Sequence, residues 1–424
     1  MKRLGKWTGN TTKHLYMYSE NGNDLIIPIG LFSKIKNKFN LSIYKKQVSL
    51  ADDKKFNFKS DINLYDYQQV AVYEMIKKGY GILLAPTGSG KTQIGIALAC
   101  KLGYKTLWIT HTKDLLKQSY DRAKQYIDDK YLGTITDGKI NIKDGITFAT
   151  VQTLSEQDLH SLKYEFNTVI VDECHRLSGT PTKLKQFSKI VNNLAARHKF
   201  GLTATLHRSD KLEQTTMSYL GNIAYEVKRE YVKDKIINPK IIKVDTGIEL
   251  TDECLLTDGT IDNNKLLTYL SQNTDRNLLI SKYILNNKDN YNLILSHRIE
   301  QLENIYITLP EEEKEKSVIL SSKLNKKSRE KAINDMQKGL KRYMFATYSL
   351  AKEGLDIQRL DRLYLVSSSK DKAVVQQSIG RVMRIFENKK TPIVYDFVDD
   401  YIKANKDFIK RKGFYKNCGC GVSG

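Results

Sequence analysis

Gly81-Ile82-Leu83-Leu84-Ala85-Pro86-Thr87-Gly88-Ser89-Gly90-Lys91-Thr92 is the stretch whose reading decides the fold. An apolar run of strand type leads into a glycine-rich loop, and an apolar helix follows Thr92. That setting makes the loop a phosphate-binding loop. Gly88 and Gly90 let the backbone curl so that N–H groups, with those of Thr87 and Ser89, face phosphate oxygens. Lys91 places a point charge on the β- and γ-phosphates, and Thr92 offers a hydroxyl to Mg2+. The helix N-terminus adds a favourable dipole. Ala85 stands where the general pattern has glycine.

Outward from the loop, strand-type runs recur at helix-length intervals: Thr106 to Thr110, Ile146 to Ala149, Val169 to Val171 and Phe200 to Thr203. Helical spacing of Tyr67, Val70, Ala71 and Met75 precedes the first of these strands. The alternation resumes after about Lys235. Strands are expected at Lys240 to Val244, Asn292 to Ser296, Val318 to Leu320, Tyr343 to Thr347, Arg362 to Val366 and Ile393 to Phe397. Strand–helix alternation of this kind means parallel sheets covered on both faces, hence an α/β fold. Residues 1–60 differ, with short apolar stretches such as Leu25 to Ile29 between Asn-Gly and Lys-rich segments. They read as a small basic β-rich domain. The expected division is 1–60, 61–230 and 231–410, with 411–424 as a frayed tail.

Val169-Ile170-Val171-Asp172-Glu173-Cys174-His175 is the second signal. An apolar strand delivers two adjacent carboxylates to the edge where ligands bind in such sheets. Asp172 would hold Mg2+, mainly through water, and Glu173 would orient and deprotonate the attacking water. In the second half, Gly380-Arg381-Val382-Met383-Arg384 puts two guanidinium groups one helical turn apart, so both can face one side. Alone, that pattern reads better as a solvated basic helix face.

Composition narrows the partners. The chain has 424 residues, with 69 Lys+Arg against 48 Asp+Glu, a net charge of +21. A field of that sign attracts polyanions such as nucleic acid, although a Lys- and Asn-rich proteome bias produces the same balance. Five scattered cysteines imply no disulfide framework and suit a reducing cytosol. No secretory leader and no membrane-spanning run is read, so a cytoplasmic protein without a membrane partner is expected.

Together these residues resemble the ordered motif set of superfamily 2 helicases, from about Leu64 to Arg384. Tyr67-Gln68 resembles the motif whose glutamine reads adenine, and Ala85 to Thr92 resembles motif I, which in this superfamily often begins with Ala. Ile109 to Leu115 resembles motif Ia, Thr150 to Leu154 motif Ic, Asp172-Glu173-Cys174-His175 a variant of motif II, and Thr203-Ala204-Thr205 motif III. Leu295 to Arg298 resembles motif IV, Ala346 to Asp356 motif V, and Gln377 to Arg384 motif VI. The resemblance implies two tandem RecA-like domains and ATP hydrolysis by Lys91, Thr92, Asp172, Glu173, Arg381 and Arg384. It places Gln377 on the γ-phosphate or its water and Gly354 and Asp356 near the ribose. His175 would couple hydrolysis to Thr203 and Thr205. Thr112, Lys113, Thr150, Thr153, Ser296, Arg298 and Thr347 would hold the phosphates of one strand without reading sequence.

Among subgroups, the motif variants look like DNA translocases rather than DEAD-box RNA helicases, and the compact size is similar to that of the UvsW-like branch-migration helicases of phages. That likeness implies work by a monomer on single-stranded and branched DNA in replication, recombination or repair. It also implies 3′→5′ movement, contact with proteins of those pathways, and a host cytoplasm. An RNA remodeller and a nucleotide-gated clamp with dead chemistry stand as rivals. Trp7 and Tyr16 read as core aromatics rather than base-stacking ones. Cys418 and Cys420 make a poor zinc site, and Lys403 to Lys416 reads either as a DNA contact or as a solvated helix.

Overall fold

The computed structural model describes residues 15–39, 54–56, 58, 60–181, 183–206, 213–321, 324–352, 355, 357–367 and 372–423. Apart from the loop residues Thr87 to Ser89, the chain divides into one compact unit up to Lys228 and a second from Arg229.

In the first unit the elements run β1 (Ser19–Asn21), β2 (Asp24–Ile26), α1 (Phe32–Phe39), α2 (Asp66–Lys78), β3 (Tyr80–Leu84), α3 (Lys91–Leu102), β4 (Thr106–Thr110) and α4 (Lys113–Lys124). They continue with β5 (Leu132–Thr136), β6 (Lys139–Asn141), β7 (Ile146–Thr150), α5 (Val151–Glu156), β8 (Thr168–Asp172), β9 (Gly179–Thr180) and β10 (Lys183–Leu184). Last come α6 (Gln186–Asn193), β11 (His198–Thr203), α7 (Glu213–Leu220) and β12 (Ile223–Glu226). The main sheet has the order β12-β3-β11-β8-β4-β7-β5-β6. It is parallel except for the antiparallel β5–β6 hairpin.

Burial explains the apolar strands. Trp108 and Ile109 on β4 and Val169, Ile170 and Val171 on β8 have no exposed surface, as a sheet covered on both faces demands. Helix α3 approaches that sheet closely: a Cβ on Gly95 would sit 2.6 Å from the Trp108 ring. Helix α2 ends where Gly79 adopts φ +75°, the left-handed cap glycine accepts without a steric cost. The amino-terminal region contributes a β1–β2 hairpin and then α1. Tyr16, expected in a core, is 61% exposed just before that hairpin, its ring meeting that of Tyr18 edge-on at 6.0 Å. Trp7 lies outside the described residues.

In the second unit β13 (Lys240–Glu249), α8 (Asn263–Gln272), α9 (Thr274–Leu285), β14 (Asn292–Ser296), α10 (Ile299–Ile307), α11 (Glu311–Glu315), β15 (Ser317–Leu320) and α12 (Lys326–Lys338) come first. Then follow β16 (Tyr343–Thr347), α13 (Tyr348–Lys352), β17 (Arg362–Leu365), α14 (Lys372–Val382), β18 (Ile393–Asp400), α15 (Ile402–Asn417) and β19 (Gly421–Ser423). The sheet order is β15-β16-β14-β17-β18-β13-β19, and every pairing is parallel.

Two buried ion pairs brace this sheet. Arg276 holds Asp399 at 2.6 Å, and Arg411 holds Asp396 through two bonds of 2.8 and 2.9 Å. Further hydrogen bonds to the carboxylates help to offset the cost of burying such pairs. Thr246 accordingly donates to Asp399 at 2.7 Å, and Tyr415 donates to Asp396 at 2.5 Å.

The second pair corrects the reading of the carboxyl end. Residues 411–424 are no frayed tail as far as they are described: Arg411, Tyr415, Cys418 and Cys420 are buried, and β19 pairs with β13. Nor is α15 solvated all round, since Ala404, Phe408, Arg411 and Tyr415 form a buried face at helical spacing.

Candidate functional site

Parallel strands end together, so the loops that carry chemistry share one edge of each sheet. In the first unit the order β3-β11-β8 brings three sequence-distant segments side by side. Thr203 is in register with Leu84, Leu202 with Asp172, and the Ala85 amide donates to the Thr203 carbonyl at 2.9 Å. The phosphate loop, the Thr203 turn and the Asp172-Glu173 pair therefore sit at neighbouring strand ends.

The loop has the shape of an anion cradle. Gly88 and Gly90 adopt φ +85° and +75°, and α3 starts at Lys91 with its free N–H groups toward the loop. Gln68 closes one side: its Oε1 accepts from the Tyr65 amide at 3.0 Å, and its Nε2 lies 2.3 Å from where a Cβ on Gly90 would stand. Lys91 Nζ is 3.4 Å from the Ala85 carbonyl. Thr87 and Thr92 are half-buried, and Ser89 is buried.

Asp172 accepts from the Glu173 amide at 3.0 Å. Glu173 takes a left-handed φ of +49°, a strained state for a residue with a Cβ. Burial, then the neighbouring Glu173 charge, push Asp172 above the usual carboxylate range. Burial acts on Glu173 in the same sense, but the His175 hydrogen bond and the Lys91 charge outweigh it and hold Glu173 low. His175 Nδ1 lies 3.2 Å from Glu173 and 3.0 Å from the Thr203 hydroxyl, which itself donates to the Thr205 carbonyl at 2.8 Å.

Farther along the same edge, β4 and β7 present the other segments, with Thr110 opposite Thr150 in register. Thr112 accepts from the Leu115 amide at 3.3 Å and caps α4, and the exposed Lys113 is ion-paired with Asp137 at the tip of the β5–β6 hairpin. Thr150 and Thr153 are buried and bond each other at 3.0 Å, so the exposed side chain of that segment is Gln152.

Two family models match parts of the two units. One, described as the res subunit of type III restriction enzymes, matches residues 61–208, and the other, the helicase conserved C-terminal domain, matches residues 275–386. The ATP-dependent DNA helicase uvsW of Enterobacteria phage T4 is 24% identical over 470 residues, covering 98% of this chain and 86% of that protein. The chain belongs to helicase superfamily 2.

Other relatives of the helicase differ in the substrate their names give. A protein of Acanthamoeba polyphaga mimivirus, named as a candidate ATP-dependent RNA helicase, is 26% identical over 362 residues, covering 84% of this chain and 67% of that protein. The DNA 3'-5' translocase XPB2 of Sulfurisphaera tokodaii is 32% identical over 195 residues, covering 46% of this chain and 42% of that protein. The helicase is an ATP-hydrolysing enzyme of two RecA-like domains.

In its second unit Ser296 is buried, donates to Gln301 at 2.8 Å and accepts from the Arg298 amide at 3.1 Å. Arg298 reaches Asn264 on α8 at 3.1 Å, and Thr347 pairs with Ser349 at 3.0 Å. Gln377 carries a buried Oε1 that meets no hydrogen-bond partner among the described residues. Arg381 donates to the Leu355 carbonyl at 2.6 Å.

The helical spacing of Arg381 and Arg384 is corrected. Helix α14 ends at Val382, and Arg384 stands beyond it in an isolated bridge with Ile236, where Ile237 donates to the Met383 carbonyl at 2.8 Å. Backbone pairing with the segment before β13 replaces the next helical turn. Gly354 and Asp356 lie outside the described residues.

Three polar neighbours escaped the sequence reading. Gln152 carries no distinguishing sequence signal, since an exposed glutamine on a helix is ordinary. Asn264 belongs to a helix that neither family model covers. Asp137 had a signal, because Asp137-Gly138 is a hairpin turn pair, and both residues adopt positive φ.

Proposed function

We propose that this helicase is a DNA motor that hydrolyses ATP to move 3′→5′ along one strand of branched DNA: forks, junctions, D-loops or R-loops. The observation that carries the reading is the order of strand ends in the first unit. The phosphate-loop side (β3, β11, β8) and the strand-contact side (β4, β7) share one edge, with His175 and Thr203 hydrogen-bonded beside the hydrolytic pair. The names of the phage and archaeal relatives support DNA and the direction.

The residues present fit a magnesium nucleotide. Thr92 and Asp172 supply hard oxygen donors of the kind magnesium takes, and a cation there would offset the burial and the Glu173 charge that raise Asp172. When bound, magnesium supplies charge neutralisation on the phosphate oxygens. The chain's own groups do the rest. Loop amides and Lys91 hold the phosphates, Gln68 orients the base, and Glu173 accepts the proton of the attacking water. Arg381 and Arg384 neutralise charge that builds in transfer, with Gln377 serving the γ-phosphate or its water. Gly354 and Asp356 keep their proposed place near the ribose. Thr112, Lys113, Thr150, Thr153, Ser296, Arg298 and Thr347 line the strand path, the buried hydroxyls acting by shaping backbone N–H groups. The helicase acts as a monomer and meets replication or recombination proteins at its junctions.

Steady-state ATP hydrolysis without nucleic acid, then with single-stranded DNA, forked DNA, a four-way junction and RNA, tests this beside Glu173→Gln. Stimulation strongest with branched DNA and abolished in the variant is expected. Equal or greater stimulation by RNA moves the assignment to the RNA remodeller that the mimivirus relative's name suggests. No turnover with any of them leaves a nucleotide-gated clamp.

A further inference from the structure

Ser367 takes part in no motif of the sequence reading, yet it sits where two of them meet. The sheet order β16-β14-β17 puts three strand ends side by side in the second unit. The first carries Thr347, in register with Ser296 on the second. Ser367 follows the third, one residue beyond Val366, whose amide donates to the Leu295 carbonyl at 2.9 Å. It is 1% exposed, and its polar atoms reach both neighbours. Its hydroxyl accepts from the His297 amide at 2.7 Å and lies 3.4 Å from the Ser296 hydroxyl. Its carbonyl accepts from the Tyr348 hydroxyl at 2.8 Å, while the Tyr348 and His297 rings pack with centroids 4.6 Å apart. One residue thus ties the segment Ser296-His297-Arg298 to the segment Thr347-Tyr348.

We propose that Ser367 is a positioning residue for strand binding: it locks these two segments into one frame, so that Arg298 and Thr347 meet successive phosphates without first being ordered. This rests on the reading of the protein as a nucleic-acid motor. The physical argument is preorganisation. Two loops that move independently lose conformational freedom when they bind one strand, and a shared buried anchor removes that cost beforehand. A serine suits the task because its short hydroxyl accepts a backbone N–H while its own carbonyl remains open to a second donor. Ser367 touches no strand itself, so its removal weakens binding without removing a phosphate contact.

The test compares Ser367→Ala with Arg298→Ala in the full chain, using ATP turnover against the concentration of a single-stranded oligonucleotide at several salt concentrations. For Ser367→Ala the half-stimulating concentration rises by roughly three- to tenfold, the scale of one lost hydrogen bond. Turnover at saturation stays within about twofold, since an interaction made equally throughout the cycle acts on binding alone. The dependence of affinity on salt stays that of the unaltered protein, whereas Arg298→Ala lowers the slope by about one. An unchanged half-stimulating concentration, or a loss confined to saturated turnover or to thermal stability, overturns the positioning role and leaves the motor standing. An unaltered protein whose turnover responds to no nucleic acid overturns the motor reading and this proposal with it.

Discussion

His175 Nδ1 stands 3.0 Å from Thr203 Oγ1 and 3.2 Å from a carboxylate oxygen of Glu173. The Thr203 hydroxyl spends its proton on the Thr205 carbonyl, so the imidazole is the donor and its proton lies on Nδ1. One N–H is therefore shared between the Glu173 carboxylate on the β8 side and the turn that follows β11. On the proposed coupling role, a change in the charge carried at Glu173 would shift that proton's balance and pull on Thr203.

His175→Ala and Thr203→Ala should each lower nucleic-acid-stimulated turnover by roughly two- to tenfold, the worth of one hydrogen bond between neutral groups. Because both changes break one interaction, the double variant should be little worse than either single one. A double-mutant cycle on steady-state turnover measures this, and losses that simply multiply would show that the two residues act independently.

Glu173→Gln keeps the shape of the site and removes the proposed base. Turnover should fall by about 10²- to 10⁴-fold, while a fluorescent ATP analogue still binds within a few-fold of its original affinity. Lys91→Ala should instead lose nucleotide binding itself, because the phosphates lose their point charge. If Glu173→Gln turned over ATP normally, the water-activating role would have to pass to another residue.

Asp399 and Arg276 are both buried, at 2.6 Å. Asp399→Ala leaves a guanidinium unpaired in the core and should destabilise the second unit by about 3–5 kcal/mol. The combined change Arg276→Met with Asp399→Leu should cost much less. Urea denaturation followed by far-UV circular dichroism, with the second unit's transition resolved, distinguishes the two. Equal costs would mean that packing, not the orphaned charge, sets the penalty.

Lys199 donates to the Val191 carbonyl at 2.7 Å, and burial lowers its ammonium to about 8. Below that pH the group is charged in both states and folding bears the full burial penalty. From pH 8 toward its ordinary value of 10.5 the folded state releases the proton that the unfolded chain keeps, so stability rises with pH. The rise is at most about 1.4 kcal/mol per pH unit. From about pH 9 cysteines such as the half-buried Cys100, pushed up to about 11, oppose it, and above pH 10 buried tyrosines such as Tyr219, pushed up to about 12, do so too. Thermal unfolding between pH 8 and 9 should show the rise, flattened in Lys199→Met. A slope that survives the substitution would assign it to other groups, Lys389 first, whose burial also lowers it to about 8.

Much of this was legible because burial on both faces of a parallel sheet forces continuous apolar runs. The strands Thr106–Thr110, Asn292–Ser296 and Tyr343–Thr347 stand where their runs place them. The edge elements were not legible. Strands β5, β6 and β12 lie at the margins, where half-exposed residues such as Thr134, Thr136 and Tyr225 blur the apolar signal. The strand β19 is three residues long, with no pattern to detect, and owes its place to the Arg411–Asp396 anchor just before it. Arg384 misled for a related reason: helical spacing counts residues and is blind to a backbone bridge with Ile236 that ends the helix early.

The sequence by itself determined the class of fold, the phosphate loop, the acidic pair and the membership in a motor superfamily. These depend on local order along the chain: which residue follows which, and how apolar runs alternate with turns. Only the tertiary structure decided that β11 inserts between β3 and β8, that the Thr150 and Ser296 hydroxyls turn inward, and that Ser367 joins two loops far apart in the chain. Strand order and side-chain direction are set by long-range packing, in which a residue's partners lie scores of positions away, and no local pattern carries that information.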